Sequence, residues 1–208
     1  MPAIANLRFF LWHDLRYPEA VQESTVAQTY SQIALAPAED APFPLGRELA
    51  ENLGYPSSLL DQLPRDSVEA FCGVSNVSLF AEIGQQDMVL DLGCGAGMDA
   101  LVAAQRSKQV IGVDFSEAML ERASRALKLS NSGQFVRLIQ APAYDLPLPD
   151  ASVDVVLVNG IFNLNPQRSA IMQEIRRVLR PGGSAFVAEL VLREPLPSEQ
   201  LDSAHWLA

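Results

Sequence analysis

From about residue 85 onward, short apolar runs alternate with amphipathic stretches. Residues 88–92, 109–113, 134–139, 153–158 and 184–192 are rich in Val, Ile and Leu with few polar interruptions, the pattern of strands buried on both faces. Helical spacing between them predicts helices over 99–106, 116–130 and 168–179. In the second of these, Ala118, Leu120, Ala123 and Leu127 recur on one face, which places Glu117, Glu121, Arg122 and Arg125 on the opposite, polar side. Ser116 precedes that helix as an N-cap, and Glu117 suits its positive end. The third helix runs out through Arg176, Arg177 and Arg180 into Pro181-Gly182-Gly183, a stop signal in both charge and backbone. Strands alternating with helices predict a doubly wound α/β domain, with a mostly parallel sheet covered on both faces.

Before residue 85 the period is helical and broken by proline. Helices are expected over 19–35, 46–53, 56–63 and 65–72, with an acidic, proline-rich link at 36–44 that cannot continue a helix. The chain therefore divides into a helical N-terminal cap over residues 1–75 and a ligand-binding domain over 76–208.

The 208 residues are 49% apolar and 19% charged, a globular composition. Twenty-five acidic residues against 15 basic ones leave a formal charge of −10, which disfavours nucleic acid as a partner because such binding starts from clustered Lys and Arg. No apolar run approaches the roughly 18 residues that span a bilayer, so no membrane association is expected. The two cysteines, Cys72 and Cys94, form neither a disulfide framework nor a metal motif. A reduced, cytoplasmic setting is the default, and no metal is expected.

Chemistry concentrates where the first strand ends. Asp91-Leu92 leads into Gly93, Gly95 and Gly97 before the first helix. Glycine there permits positive φ and lets a ligand approach bare backbone, and the helix start beyond offers N–H groups to a small anion. Asp114 follows the second strand and faces the same crevice, where a carboxylate can accept both hydroxyls of a ribose. The dinucleotide fingerprint requires a further glycine where Met98 stands. An adenosine-type ligand with a small anionic end is the expectation.

Asp91-Leu92-Gly93-Cys94-Gly95-Ala96-Gly97, Val113-Asp114-Phe115-Ser116 with Met119, Asp145-Leu146-Pro147-Leu148-Pro149 and Arg177-Val178-Leu179-Arg180-Pro181-Gly182-Gly183 resemble the motifs of class I S-adenosylmethionine-dependent methyltransferases. A narrower resemblance, through Tyr30, Leu53-Gly54-Tyr55, Gly73-Val74-Ser75-Asn76, Met98-Asp99 and Asn159 with Asn163-Leu164, is to the arsenite methyltransferases and their relatives. The resemblance implies a Rossmann-like methyltransferase fold and S-adenosylmethionine as cofactor. It implies that Gly93, Gly95 and Gly97 line the methionine moiety, that Asp91 orients its amino group and that Asp114 holds the ribose. Phe115 and Met119 would flank the adenine, Ala143 and Tyr144 would meet its edge, and Asn159 would face the sulfonium. Transfer to a small-molecule acceptor by in-line displacement follows, with Asn159 and Tyr30 as the catalytic candidates and Asn163 as further polar lining.

The chain also departs from the pattern. Val74 and Gly160 stand where the arsenite enzymes place thiolates, and no cysteine pair occurs around 36–41. A soft metalloid asks for such ligands, so arsenite is not the expected acceptor. The Pro142 side chain, unlike an Asp or Glu there, cannot accept a hydrogen bond from an adenine amino group. Only 16 residues follow Leu192, too few for the two further strands such a sheet usually carries. An open apolar edge then favours self-association as a homodimer. A non-catalytic nucleoside-binding subunit is the rival functional class.

Overall fold

The computed structural model describes residues 30–35 and 44–191. Residues 19–29 of the helix expected over 19–35 and most of the acidic link lie outside the described residues.

Five strands, β1 (Met88–Leu92), β2 (Gln109–Asp114), β3 (Val136–Gln140), β4 (Val153–Asn159) and β5 (Leu179–Ala188), form one sheet in the order β3-β2-β1-β4-β5. Every pairing in it is parallel. The central strands carry the apolar runs because helices cover both of their faces: Val89, Leu90, Leu92, Val156, Leu157 and Val158 are fully buried.

Before the sheet come α1 (Gly46–Asn52), α2 (Ser57–Leu60), α3 (Arg65–Glu69) and α4 (Val77–Phe80). The crossovers of the sheet are α5 (Met98–Ala103), α6 (Glu117–Leu129) and α7 (Arg168–Val178). Residues 30–35 are also helical. Ala50, Tyr55, Leu60, Leu63, Val68 and Phe71 of the N-terminal region share one apolar cluster with Met98, Leu101 and Val102 of α5 and Ala126 of α6. The N-terminal helices are thus packed onto α5 and α6, the crossover helices nearest the glycine turn.

Several bounds shift from the sequence reading. The strand β3 begins at Val136, after a 3-10 turn over Gly133–Phe135, rather than at 134, and β5 ends at Ala188 rather than 192. The helices expected over 56–63, 65–72 and 99–106 each end three residues early. Three further differences are larger. The strand expected to begin at Ser184 begins at Leu179, because Leu179 pairs with Val153 and a register shift absorbs Pro181-Gly182-Gly183 before Ser184 pairs with Val155. The Pro-Gly-Gly stop signal ends the helix but lies within the strand. The helix α4 was not expected; at four residues it is too short to show a period. Arg122, assigned to the polar face of α6, is only 7% exposed. Ser116 caps that helix as expected, its side chain accepting from the Met119 N–H at 3.3 Å. Among the described residues, no helix is long and apolar enough to cross a membrane.

Candidate functional site

A crevice opens at the carboxyl ends of β1, β2 and β4, enclosing about 1060 Å³ including its mouth. Such ends are where a doubly wound sheet places its ligands. Its floor is the turn from Gly93 to Ala96, its sides are Asp91, Asp99, Asp114, Phe115, Pro142 and Ala143, and its roof is Tyr30, Ser67 and Ala70–Gly73. Asn159, Gly160, Ile161 and Leu164 close the remaining wall.

The floor is held open by backbone geometry. Gly93 and Gly95 have φ of +78° and +50°, a region that side chains with a Cβ enter only at a cost. The Gly93 and Cys94 N–H groups both donate to Val113 O, at 2.8 and 2.9 Å, which ties the turn to β2. A Cβ on Gly93 would collide with Ile161 Cγ2, whereas a Cβ on Gly95 would meet no protein atom within 4 Å. The space over Gly95 is open and belongs to the crevice.

Three buried carboxylates surround that space. Asp114 accepts the Gly95 N–H on Oδ2 and the Ser116 N–H on Oδ1, each at 2.8 Å. These bonds fix the carboxylate against the glycine turn while each oxygen keeps a further lone pair. Asp99 Oδ1 accepts from the Tyr55 and Ser78 hydroxyls, and its Oδ2 accepts from Asn159 Nδ2 at 2.9 Å. Asp91 differs from both: its Oδ2 is buried without a hydrogen-bond partner. Burial pushes all three carboxyls above the usual aspartate range. For Asp91 the charges of Asp99 and Asp114 add to the rise. A buried carboxylate oxygen with no donor beside it suits a ligand that brings a positive charge and N–H groups.

The roof is less polar. Burial raises the Tyr30 hydroxyl well above its ordinary value and pushes the Cys72 thiol to about 12, and the two are hydrogen-bonded to each other. Both are therefore protonated at neutral pH and neither is a base. Asn159 lies at the edge of the roof, but its amide is spent within the protein. Its Oδ1 accepts the Val74 and Ser75 N–H groups at 2.8 and 3.1 Å, and its Nδ2 donates to Ser75 O at 2.8 Å as well as to Asp99. The side chain is a clamp on the 73–75 loop.

The crevice brings together Tyr30, Asp91, Gly93, Gly95, Asp114, Phe115, Ala143 and Asn159. Gly97, Met119, Tyr144 and Asn163 do not line it. Gly97, at φ +81°, serves as the left-handed N-cap of α5. Met119 is fully buried beneath the glycine turn, in a cluster with Ala96, Ile33, Ala34 and Ala70. Asn163 Nδ2 donates to Glu189 Oε1 at 3.0 Å and to Leu190 O at 2.6 Å, across to the end of β5. Asp99, the second residue of α5, makes no cap and belongs to the buried network. Sequence reasoning missed the roof residues Phe71, Cys72 and Gly73. Their signal was weak, an apolar pair and a glycine after a short helix. Among the described residues, no cluster of His, Cys, Asp and Glu could hold a metal ion.

The carboxylates give the protein alone a definite pH dependence. An aspartate whose folded pKa is raised stabilises the fold below its unfolded value, near 3.8, and that contribution is lost as pH rises through the folded value. Glu174 behaves oppositely, since the Arg177 guanidinium holds it below its ordinary 4.5. Its contribution is complete above that value. The melting temperature of the ligand-free protein is therefore expected to fall as pH rises above the ordinary carboxylate values of 3.8 and 4.5 toward neutrality. Asp91→Asn should flatten that slope in thermal melts across the range; a melting temperature that climbs to neutrality would contradict it.

A family model described as a methyltransferase domain matches residues 90–187. The arsenite methyltransferase of Halobacterium salinarum is 34% identical over 157 residues, covering 74% of this chain and 40% of that protein. The 27-O-demethylrifamycin SV methyltransferase of Amycolatopsis mediterranei is 36% identical over 107 residues, covering 51% of this chain and 39% of that protein. An arsenic (III) S-adenosylmethionine methyltransferase from Chlamydomonas reinhardtii superposes with a TM-score of 0.55 at 29% identity, covering 76% of this chain and 53% of that one. The chain spans about two fifths of the length of these curated relatives.

Proposed function

The chain belongs to the class I S-adenosylmethionine-dependent methyltransferases, and on that premise we propose that it binds S-adenosylmethionine in this crevice and transfers the methyl group to a small-molecule acceptor. The observation that carries the reading is the unpartnered Asp91 Oδ2 beside an open, Cβ-free turn. That oxygen would take the amino group of the methionine moiety, and the turn would admit its chain against the backbone. Asp114, fixed by Gly95 and Ser116, would accept the ribose hydroxyls on its outer lone pairs. Phe115 and Ala143 would bound the adenine. When bound, the cofactor supplies an activated methyl on a sulfonium, whose leaving group is a neutral thioether that needs no acid.

What this chain contributes is placement. Holding two reactants collinear at contact distance is worth about 7–11 kcal/mol in favourable intramolecular cases. Asn159 acts on the 73–75 loop through three hydrogen bonds, with a fourth to Asp99, and so positions the roof. Tyr30, Phe71 and Leu164 form the wall against which an acceptor would lie. Tyr30 and Cys72, being protonated, would exclude water and orient the acceptor rather than take a proton from it. The same proposal includes self-association through the outer edge of β5, which no further strand pairs among the described residues and where Val187 is 43% exposed.

Titration calorimetry with S-adenosylmethionine and S-adenosylhomocysteine tests the cofactor reading directly. Binding of both is expected, with weakening in Asp114→Ala. No heat from either ligand at about millimolar concentration, where even a weak site of about −4 kcal/mol would register, overturns it.

A further inference from the structure

We propose that Arg122 is a positioning residue that fastens the roof of the crevice to the helix that follows the ribose-side carboxylate of β2. Its side chain is 8% exposed and does not touch the crevice. Its Nε donates to Asp66 O at 2.7 Å, and Nη1 donates to Ala34 O at 3.2 Å and Ile33 O at 3.5 Å. The same guanidinium lies 3.8 Å from Asp66 Oδ1 and 3.6 Å from Glu69 Oε2. One planar fork thus joins three segments: helix 30–35, α3 and α6. Two of them supply the roof. Tyr30 begins the first, and Ser67 and Ala70–Gly73 lie in or directly after α3.

The third segment reaches the cofactor side. The helix α6 is capped by Ser116, whose own N–H is bonded by Asp114. Beneath the fork, Met119 packs on Ile33, Ala34, Ala70 and Ala96 of the glycine turn. A rigid connection therefore runs from Asp114 along one helix to the carbonyls of the roof. Apolar packing in this cluster lacks directional preference, whereas five donors in a fixed plane select one arrangement of the three backbones. Burying a guanidinium is costly unless it is paired. Here two carboxylates and three carbonyls meet it.

The exchange measurement, run on the protein alone, does not depend on the proposed cofactor; the affinity measurement does. Arg122→Met keeps the length and the packing but removes the fork. Amides of residues 31–35 and 66–71 are expected to exchange about tenfold faster in it, with those of β1 and β2 little changed. S-adenosylmethionine affinity should fall by about tenfold, the size of a modest coupling between two parts of a site. Because Tyr30 is the crevice residue of helix 30–35, Tyr30→Ala and the Tyr30→Ala/Arg122→Met double variant should bind the cofactor equally weakly. Arg122→Lys keeps the charge without the fork, is the milder variant should the methionine form fail to fold, and should give intermediate values. Unchanged exchange at 31–35, affinity within about twofold of the parent protein, additive effects in the cycle, or full recovery by lysine would each overturn the assignment. If the parent protein binds no S-adenosylmethionine, the cofactor reading has failed, and exchange alone decides the role of Arg122.

Discussion

Replacing Gly95 with alanine is expected to leave the fold standing and to remove most of the affinity for S-adenosylmethionine. The two effects separate because of where the new methyl would go. A Cβ on Gly95 meets no protein atom within 4 Å, so its cost to the fold is limited to placing alanine at a φ of +50°, about 1–2 kcal/mol. The backbone N–H that Asp114 accepts survives the substitution. The methyl stands instead in the open crevice, where the cofactor's closest approach to the backbone is proposed. Overfilling a close contact costs about 1–3 kcal/mol, which is about five- to 150-fold in affinity. Gly93→Ala is the contrasting case. Its Cβ collides with Ile161 Cγ2, so both stability and binding should suffer. Denaturant unfolding and titration calorimetry on the two variants read the separation. Wild-type affinity in Gly95→Ala would place the ligand away from the turn.

That pair of glycines was legible in the sequence, and so was most of the sheet. The strand β1 was predicted residue for residue, and β2 and β4 each run one residue further than expected, to Asp114 and Asn159. Strands buried on both faces announce themselves as unbroken apolar runs, and Ser116 and the glycine turn punctuate them. What could not be read is what depends on segments distant in sequence. A helical wheel placed Arg122 with solvent because Arg is usually solvated. Its burial requires helix 30–35 and α3 to dock on that face with free carbonyls, which local period does not encode. Asn159 was expected near the reacting methyl from the family resemblance, and it does line the crevice; its second role was not legible. Its clamp on residues 73–75 spans more than 80 positions. Pro181-Gly182-Gly183 misled for a third reason: on the outer strand β5, a register shift accommodates what a central strand would refuse.

Long-range dependence is strongest at Asp99, whose replacement by asparagine should destabilise the protein out of proportion to its size. The carboxylate is an acceptor on every side, with Oδ1 facing the hydroxyls of Tyr55 and Ser78 and Oδ2 facing Asn159 Nδ2 at 2.9 Å. A carboxamide keeps one oxygen. If that oxygen serves the two hydroxyls, its NH₂ group confronts the Asn159 NH₂ group, donor against donor. If Asn159 turns over to relieve this, it forfeits the Val74 and Ser75 N–H bonds at 2.8 and 3.1 Å. If the new carboxamide turns instead, the hydroxyls face its NH₂ and can donate only to each other, across the 3.2 Å between Tyr55 Oη and Ser78 Oγ, which leaves one O–H without an acceptor. Each route leaves at least one buried polar group unsatisfied, at about 1–3 kcal/mol apiece. Neutralising the site works the other way, because Asp99 and Asp91 raise each other's cost of ionisation and burial penalises both. Asp91 should then ionise more readily, which offsets part of the loss near neutral pH and none of it in acid. The expected net is a loss of about 1–3 kcal/mol, larger at about pH 5 than at pH 7, with faster amide exchange at Val74 and Ser75. Urea unfolding of Asp99→Asn at both pH values measures the first, and exchange at those two amides the second. An unchanged midpoint with slow exchange would mean that the roof loop is held without Asn159, and the clamp would lose its role.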